Sequence, residues 1–179
     1  VGDDGYAKAV DLYFERHDGD AATIDDWLKG FEDATGRDLS QFKRWYSQAG
    51  TPRLHVSDSY NNGTYTLTFR QAIPATQGQP APAPQVLPIA IGLLGPNGDE
   101  VQPTTVLEMT EETQIFSFNG LSARPIPSIL RGFSAPVVLD QDTTHDAFLL
   151  AHDTDPFNRW EAGRMLARSN LMDMARSDA

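Results

Sequence analysis

The side chains able to do chemistry are of few kinds. The 179-residue chain has four histidines, His17, His55, His145 and His152, 25 acidic residues and no cysteine. Thiol catalysis, disulfides and cysteine zinc sites are therefore excluded. A zinc-peptidase helix needs two histidines one turn apart with a glutamate between them. His145 and His152 are seven residues apart, two turns or roughly 10 Å along a helix, too far to share one zinc directly. His17, beside Glu15 and Asp18, falls at a helix end, where a cation suits the helix dipole. Asp25, Asp26, Glu32 and Asp33 offer a calcium site or a glycosidase pair on paper. A solvated helix face is the better reading, because Trp27, Leu28 and Phe31 between them define an opposite, buried face. Trp27, Trp45, Tyr46 and Trp160 suggest a sugar platform, but their helical spacing among apolar residues favours core packing. There is no G-x-S-x-G elbow and no P-loop. No catalytic, cofactor-binding or metal-binding residue is assigned.

The elements that would position such residues change character twice. Tyr6, Val10, Tyr13 and Phe14 recur on one helical face, and His17-Asp18-Gly19-Asp20 ends that helix. Thr23 and Asp26 form a T-x-x-D start resembling a capping box, and Gly36 is a suitable stop. Asp38 with Gln41 begins a short third helix carrying Phe42, Trp45 and Tyr46. From 53 to 140 the pattern is β. Tyr65, Leu67, Phe69 and Ile73 alternate with Thr66, Thr68 and Arg70, and Asn62-Gly63 before them signals a hairpin. Ile89, Ile91 and Leu93 alternate again and lead into the turn Pro96-Asn97-Gly98-Asp99. Val106–Met109, Ile115–Phe118, Ile129–Phe133 and Val137–Leu139 read as further strands. About seven strands with frequent turn signals predict a β-sandwich. Residues 76–84, TQGQPAPAP, read as an exposed, mobile loop. Thr143 and Asp146 start a short helix with Ala147, Phe148 and Ala151, and Asp155-Pro156 opens a longer one running towards Arg176.

Composition bounds the function. Forty per cent apolar residues indicate a globular chain. The net charge of −11 argues against nucleic acid and anionic lipid as partners. No apolar stretch approaches the roughly 18 residues of a membrane span, and Val1-Gly2-Asp3-Asp4 is not a signal peptide. A cytoplasmic home is expected. The helical ends have few partners for their apolar faces, so the chain reads as a piece of something larger. The faces around Val10, Phe14, Phe31 and Phe157 are expected to be uncovered and to promote self-association.

Three runs carry a family resemblance. Leu12-Tyr13-Phe14-Glu15-Arg16-His17-Asp18-Gly19 followed by Ala21-Ala22-Thr23, and Arg44-Trp45-Tyr46-Ser47-Gln48-Ala49-Gly50-Thr51-Pro52, resemble the end of the catalytic domain in bacterial-type aminopeptidase N. Asp155-Pro156-Phe157-Asn158-Arg159-Trp160-Glu161-Ala162 resembles the entry into that family's C-terminal helical domain, and Ser134-Ala135-Pro136 to Leu139 also fits. The resemblance implies three parts. Residues 1–52 would be the last helices of a thermolysin-like catalytic domain, 53–142 an immunoglobulin-like β-sandwich, and 143–179 the first helices of the C-terminal domain. The implied fold class is mainly β, an antiparallel immunoglobulin-like sandwich flanked by N-terminal and C-terminal α-helices.

The family's members are zinc metallopeptidases that remove single residues from peptide N-termini. The zinc motif H-E-x-x-H and the amine-binding G-x-M-E-N are both absent from this sequence. No catalytic role is carried onto Tyr6, Tyr13 or Tyr46. The expectation is a non-catalytic segment, without its own cofactor, whose parent holds zinc and acts on peptides. Its partners would be the parent's remaining domains. The alternative is a free-standing immunoglobulin-like module that binds a protein or a carbohydrate.

Overall fold

The computed structural model describes residues 1–141 and 144–177. The expected boundary between 142 and 143, and Thr143 as a helix start, lie outside the described residues. The chain divides into two compact units. One comprises Val1–Ala49 with Ala75–Gln85, the other Gly50–Pro74 with Val86–Ala179.

The first unit is a helical hairpin with a short third helix: α1 (Gly2–His17), α2 (Ile24–Thr35) and α3 (Arg44–Ser47). The Thr23–Asp26 capping box forms in full, and Gly36 caps the helix at φ 69° in the left-handed region. Ala9, Leu28 and Phe31 are buried between α1 and α2. Tyr6 and Trp27 meet the Phe31 ring edge-on and tilted, at 5.5 and 4.7 Å. Phe31 is therefore covered from within, contrary to the expectation of an open face, whereas Phe14 is 56% exposed.

The proline-rich segment is held rather than loose. The side-chain amide of Gln48 donates to Ala83 O at 2.9 Å and accepts from Ala83 N–H at 2.8 Å. Gln79 repeats this pairing on Ala49, with both bonds at 2.9 Å. Arg44 and Gln41 both donate to Pro84 O. Prolines supply carbonyls but no N–H, so donors from α3 and its flanks find ready acceptors. Composition reveals the missing donors but not the partners that answer them.

Among the described residues the second unit holds seven strands: β1 (Arg53–Asn61), β2 (Thr64–Ala72), β3 (Leu87–Leu94), β4 (Glu100–Met109), β5 (Thr113–Phe118), β6 (Ile126–Ile129) and β7 (Val138–Asp140). They form one sheet in the order β5-β2-β1-β7 and another in the order β4-β3-β6. All pairs are antiparallel except β1 with β7. Leu54, Tyr65, Leu67 and Phe69 from one sheet, and Leu87, Ile89, Ile91 and Leu93 from the other, are fully buried. The two faces of β2 differ as its alternation predicts. In contrast, β3 is buried nearly throughout. Its second set of side chains includes Leu94, which packs with Leu149 and Ala162 of α4 (Asp146–His152) and α5 (Pro156–Ser177).

One predicted strand is shorter and displaced. Instead of running from Ile129 to Phe133, β6 stops at Ile129 and a 3-10 turn occupies Arg131–Phe133. Leu130 and Phe133 adopt left-handed backbone at φ 61° and 56°, a conformation costing non-glycine residues of order 1–3 kcal/mol each. The apolar run suggested strand continuation, but the turn is what aims Arg131 beneath β3.

Replacing Gln48 and Gln79 together by alanine is expected to free residues 76–84. Limited proteolysis should then cut within this segment much faster than in the parent chain, and unchanged cutting would show that the four amide bonds do not hold it.

Candidate functional site

The residues singled out by type do not assemble. His17 lies against Tyr13, ring centres 5.4 Å apart. His55 Nδ1 meets Asp140 Oδ2 at 2.7 Å across β1 and β7. His145 precedes α4, and His152 ends it, stacked on Phe148. Among the described residues, no group of three histidine or acidic side chains is placed to hold a metal. The four carboxylates of α2 each have a local partner. Asp25 pairs with Lys43, and Asp33 with Arg16 and Lys29. Glu32 accepts from Leu39 N–H at 3.0 Å, and Asp26 completes the capping box. Hydrogen bonds from Thr23 hold Asp26 below the ordinary carboxylate range, and bonds from Lys29 and Arg16 do the same for Asp33. Core packing describes Trp27, which is half-buried, but not Tyr46 or Trp160, which are 51% and 59% exposed.

The notable polar cluster lies elsewhere, around Arg131. This residue is buried on the second face of β3. Gly92 makes the space: a Cβ there would stand 2.1 Å from the guanidinium carbon. Four of the five guanidinium donor positions are engaged. Nε donates to Ser128 Oγ at 2.9 Å, and Nη2 donates to Asp153 Oδ1 at 3.0 Å. Nη1 donates to Thr104 Oγ1 at 2.9 Å and to Glu100 Oε1 at 2.5 Å. Register shifts between β3 and β4, on either side of Leu93, bring Thr104 and Glu100 to this position. Pro103, which cannot donate to a ladder, sits in the shifted stretch.

Asp153 is completely buried at the end of α4. Its other oxygen accepts from the Ser128 hydroxyl at 2.5 Å, and Oδ1 also accepts from Asp155 N–H at 3.0 Å. Asn158, in the first turn of α5, donates to Ser128 Oγ at 2.7 Å and to Ile129 O at 2.9 Å. Asp155 caps α5 through Asn158 N–H at 2.8 Å and accepts from Gly132 N–H at 3.1 Å. The end of α4 and the start of α5 are thereby tied to β6, and Thr154 between them donates to Glu100 of β4 at 3.1 Å. Buried charge is tolerated here because it is paired and hydrogen-bonded. The Arg131 bond holds Glu100 below its ordinary carboxylate range, with Thr154 adding a second bond.

This arrangement joins the sheet to the two helices that follow it. Ser128 already donates to Asp153 and accepts from both Arg131 and Asn158, so its oxygen has no lone pair left for attack. Among the described residues, no hydrogen bond joins a histidine to it. Beside the joint lies an apolar groove of about 720 Å³, lined among others by Leu130, Phe133, Val137, Leu139, Leu149 and Phe157. Reading residue types missed the cluster because its members are spread from 92 to 158. A glycine inside the apolar strand Ile89–Leu93 and a lone arginine in Ile129–Phe133 were the available signals.

The fold and the joint define a class: an immunoglobulin-like domain to which a helical pair is clamped through buried charge. Residues 50–142 match the family described as "Domain of unknown function (DUF3458) Ig-like fold", and residues 143–179 match the one described as "Domain of unknown function (DUF3458_C) ARM repeats". The chain belongs to this Ig-like DUF3458 family. It is homologous to aminopeptidase N. It is 42% identical to that protein of Escherichia coli over 93% of its own length, and 39% identical to that of Haemophilus influenzae over 96%. With Caulobacter vibrioides aminopeptidase N the identity is 42% over 98% of the chain. Legionella pneumophila aminopeptidase A, solved in complex with aspartic acid, superposes with a TM-score of 0.86 at 31% identity, covering 98% of this chain and 20% of that one. The chain spans about a fifth of the length of the curated relatives it matches.

Removing one member of the buried Arg131–Asp153 pair leaves the other charge under-compensated, a loss that typically costs about 3–5 kcal/mol. Asp153→Asn and Arg131→Met are each expected to lower urea-unfolding stability by about that amount, and Gly92→Ala to do so by displacing the guanidinium. The double change Arg131→Met with Asp153→Asn should cost clearly less than the sum of the two. Additive losses would show that the two groups act independently.

The acid side gives a second expectation. Glu100, Asp26, Asp33, Asp38 and Glu161 are all held below their ordinary range by hydrogen bonds. The folded chain therefore binds fewer protons than the unfolded one in acid. Their contribution is fully present above the ordinary carboxylate range and is lost as pH falls through their lowered values. Stability measured against pH should fall continuously below that range, and Glu100→Gln should flatten the fall. An unchanged slope would remove Glu100 from the account.

Proposed function

We propose that this chain is a non-catalytic section of an aminopeptidase N. In this reading residues 1–52 are the closing helices of the catalytic domain, 53–142 the sandwich, and 143–179 the opening helices of the C-terminal helical domain. The sandwich links the catalytic and helical parts, and the Arg131 joint fixes the direction in which the helices leave it. The parent is a cytoplasmic zinc metallopeptidase that releases N-terminal residues from peptides, with its zinc outside this chain. The observation that carries the reading is the coverage. Nearly the whole chain aligns with aminopeptidase N, yet it accounts for only 20–21% of that enzyme's length.

The test is a paired assay on this chain: elemental zinc and release of chromophore from an alanyl anilide. The expected result is neither. Stoichiometric zinc with turnover would overturn the reading.

A further inference from the structure

Three Asn-Gly pairs, Asn62-Gly63, Asn97-Gly98 and Asn119-Gly120, occupy turns of the sandwich unit. Glycine lacks the Cβ that otherwise shields its amide nitrogen, so each pair can react with itself. The glycine nitrogen attacks the asparagine Cγ, and a C–N bond forms as the amide proton leaves to base and ammonia departs. Water then opens the resulting succinimide to aspartate or isoaspartate. No oxidant or further reagent is needed. What differs between the three pairs is how firmly the reacting atoms are held.

At Asn97 both partners are restrained. Its side-chain nitrogen donates to Asp99 Oδ2 at 2.6 Å, and its oxygen accepts from Asp99 N–H at 3.2 Å. The nucleophile, Gly98 N–H, donates to Gly95 O at 2.9 Å. The His152 ring lies over this glycine, 2.7 Å from where a Cβ would stand. At Asn62 the backbone is locked inside the hairpin, with φ 48° and the β1–β2 ladder closing on both sides at Asn61 and Thr64.

Asn119 is different. It follows the last residue of β5 and is exposed, as is Gly120. Among the described residues, no hydrogen bond reaches the Gly120 N–H or the Asn119 amide nitrogen. The one bond to the side chain comes from the Thr64 hydroxyl to Asn119 Oδ1 at 2.9 Å, which polarises the carbonyl under attack. Among the described residues beyond its chain neighbours, nothing lies within 4 Å of where a Cβ on Gly120 would stand.

We propose that Asn119 is a self-modification site, the residue of the folded chain that converts first to aspartate and isoaspartate. The change has a structural consequence. Two residues on, Leu121 donates its N–H to Gly63 O at 3.0 Å and accepts the Tyr60 hydroxyl at 2.8 Å. Isoaspartate inserts a methylene into the main chain just before that double contact and adds a negative charge, so it loosens one end of the four-stranded sheet.

The experiment incubates the full 179-residue chain in mildly alkaline buffer, folded and in urea, and maps peptides by mass spectrometry with isoaspartate detection. In the folded chain Asn119 is expected to convert at least about tenfold faster than Asn97, about 1.4 kcal/mol of restraint. It should also lead Asn62. In urea the three should converge. Asp99→Ala should accelerate conversion at Asn97 in the folded chain, and Asn119→Gln should remove the leading signal. Conversion led by Asn97 or Asn62, no conversion at Asn119, or the same order persisting in urea would each overturn the proposal.

Discussion

A single guanidinium beneath an apolar strand constrains the three-stranded sheet and the helices that leave it. Arg131 has to be accommodated, and each local irregularity nearby serves that need. Gly92 leaves the space, the shifted register of β4 delivers Thr104 and Glu100, and the left-handed Leu130 turns the chain beneath β3. Asp153 supplies the fully buried counter-charge from the end of α4. Remove the arginine and these features lose their reason together. A charge is also more selective than an apolar contact would be. Leu94, Leu149 and Ala162 contribute burial at the same seam, but burial is non-directional. The hydrogen bonds to Ser128, Asn158 and Asp155 fix how the helices depart.

The helical unit follows a different logic. Its small core of Ala9, Leu28 and Phe31 is flanked by aromatic rings, with Tyr6 and Trp27 meeting Phe31 and Tyr13 meeting Trp27 edge to face or tilted. The proline-rich segment adds to this unit by lending carbonyls to Gln41, Arg44 and Gln48. On the proposed reading the parent enzyme thus receives from one chain a helical unit and a sandwich-with-helices unit.

Local signals in the sequence were the ones that could be read. The Thr23–Asp26 box, the Gly36 stop, the Asn62-Gly63 hairpin and the Asp155 cap act within four residues, and all appear in the structure. The alternation of β2 likewise predicts its buried face. What escaped depends on distant partners. Whether Ile129–Phe133 continues as a strand depends on Asp153, more than twenty residues away. Whether 76–84 is loose depends on glutamines of the helical unit, and whether Phe31 is open depends on Tyr6. The joint itself was invisible to a search by residue type, because buried arginine with serine and asparagine follows no short motif. Exposed Trp160 shows the converse: helical spacing among apolar residues does not reveal which face finds a partner.

Buried charge, on this reading, makes the sandwich, α4 and α5 one cooperative body. Native-state hydrogen exchange tests it most directly, by comparing the slowest amides of β3 with those of α5 around Ala162 as denaturant is raised. One body predicts that both sets open together, with the same free energy and the same denaturant dependence. If the α5 amides open first, at distinctly lower free energy while β3 stays closed, the helices are only resting on the sheet and the joint does not unite them.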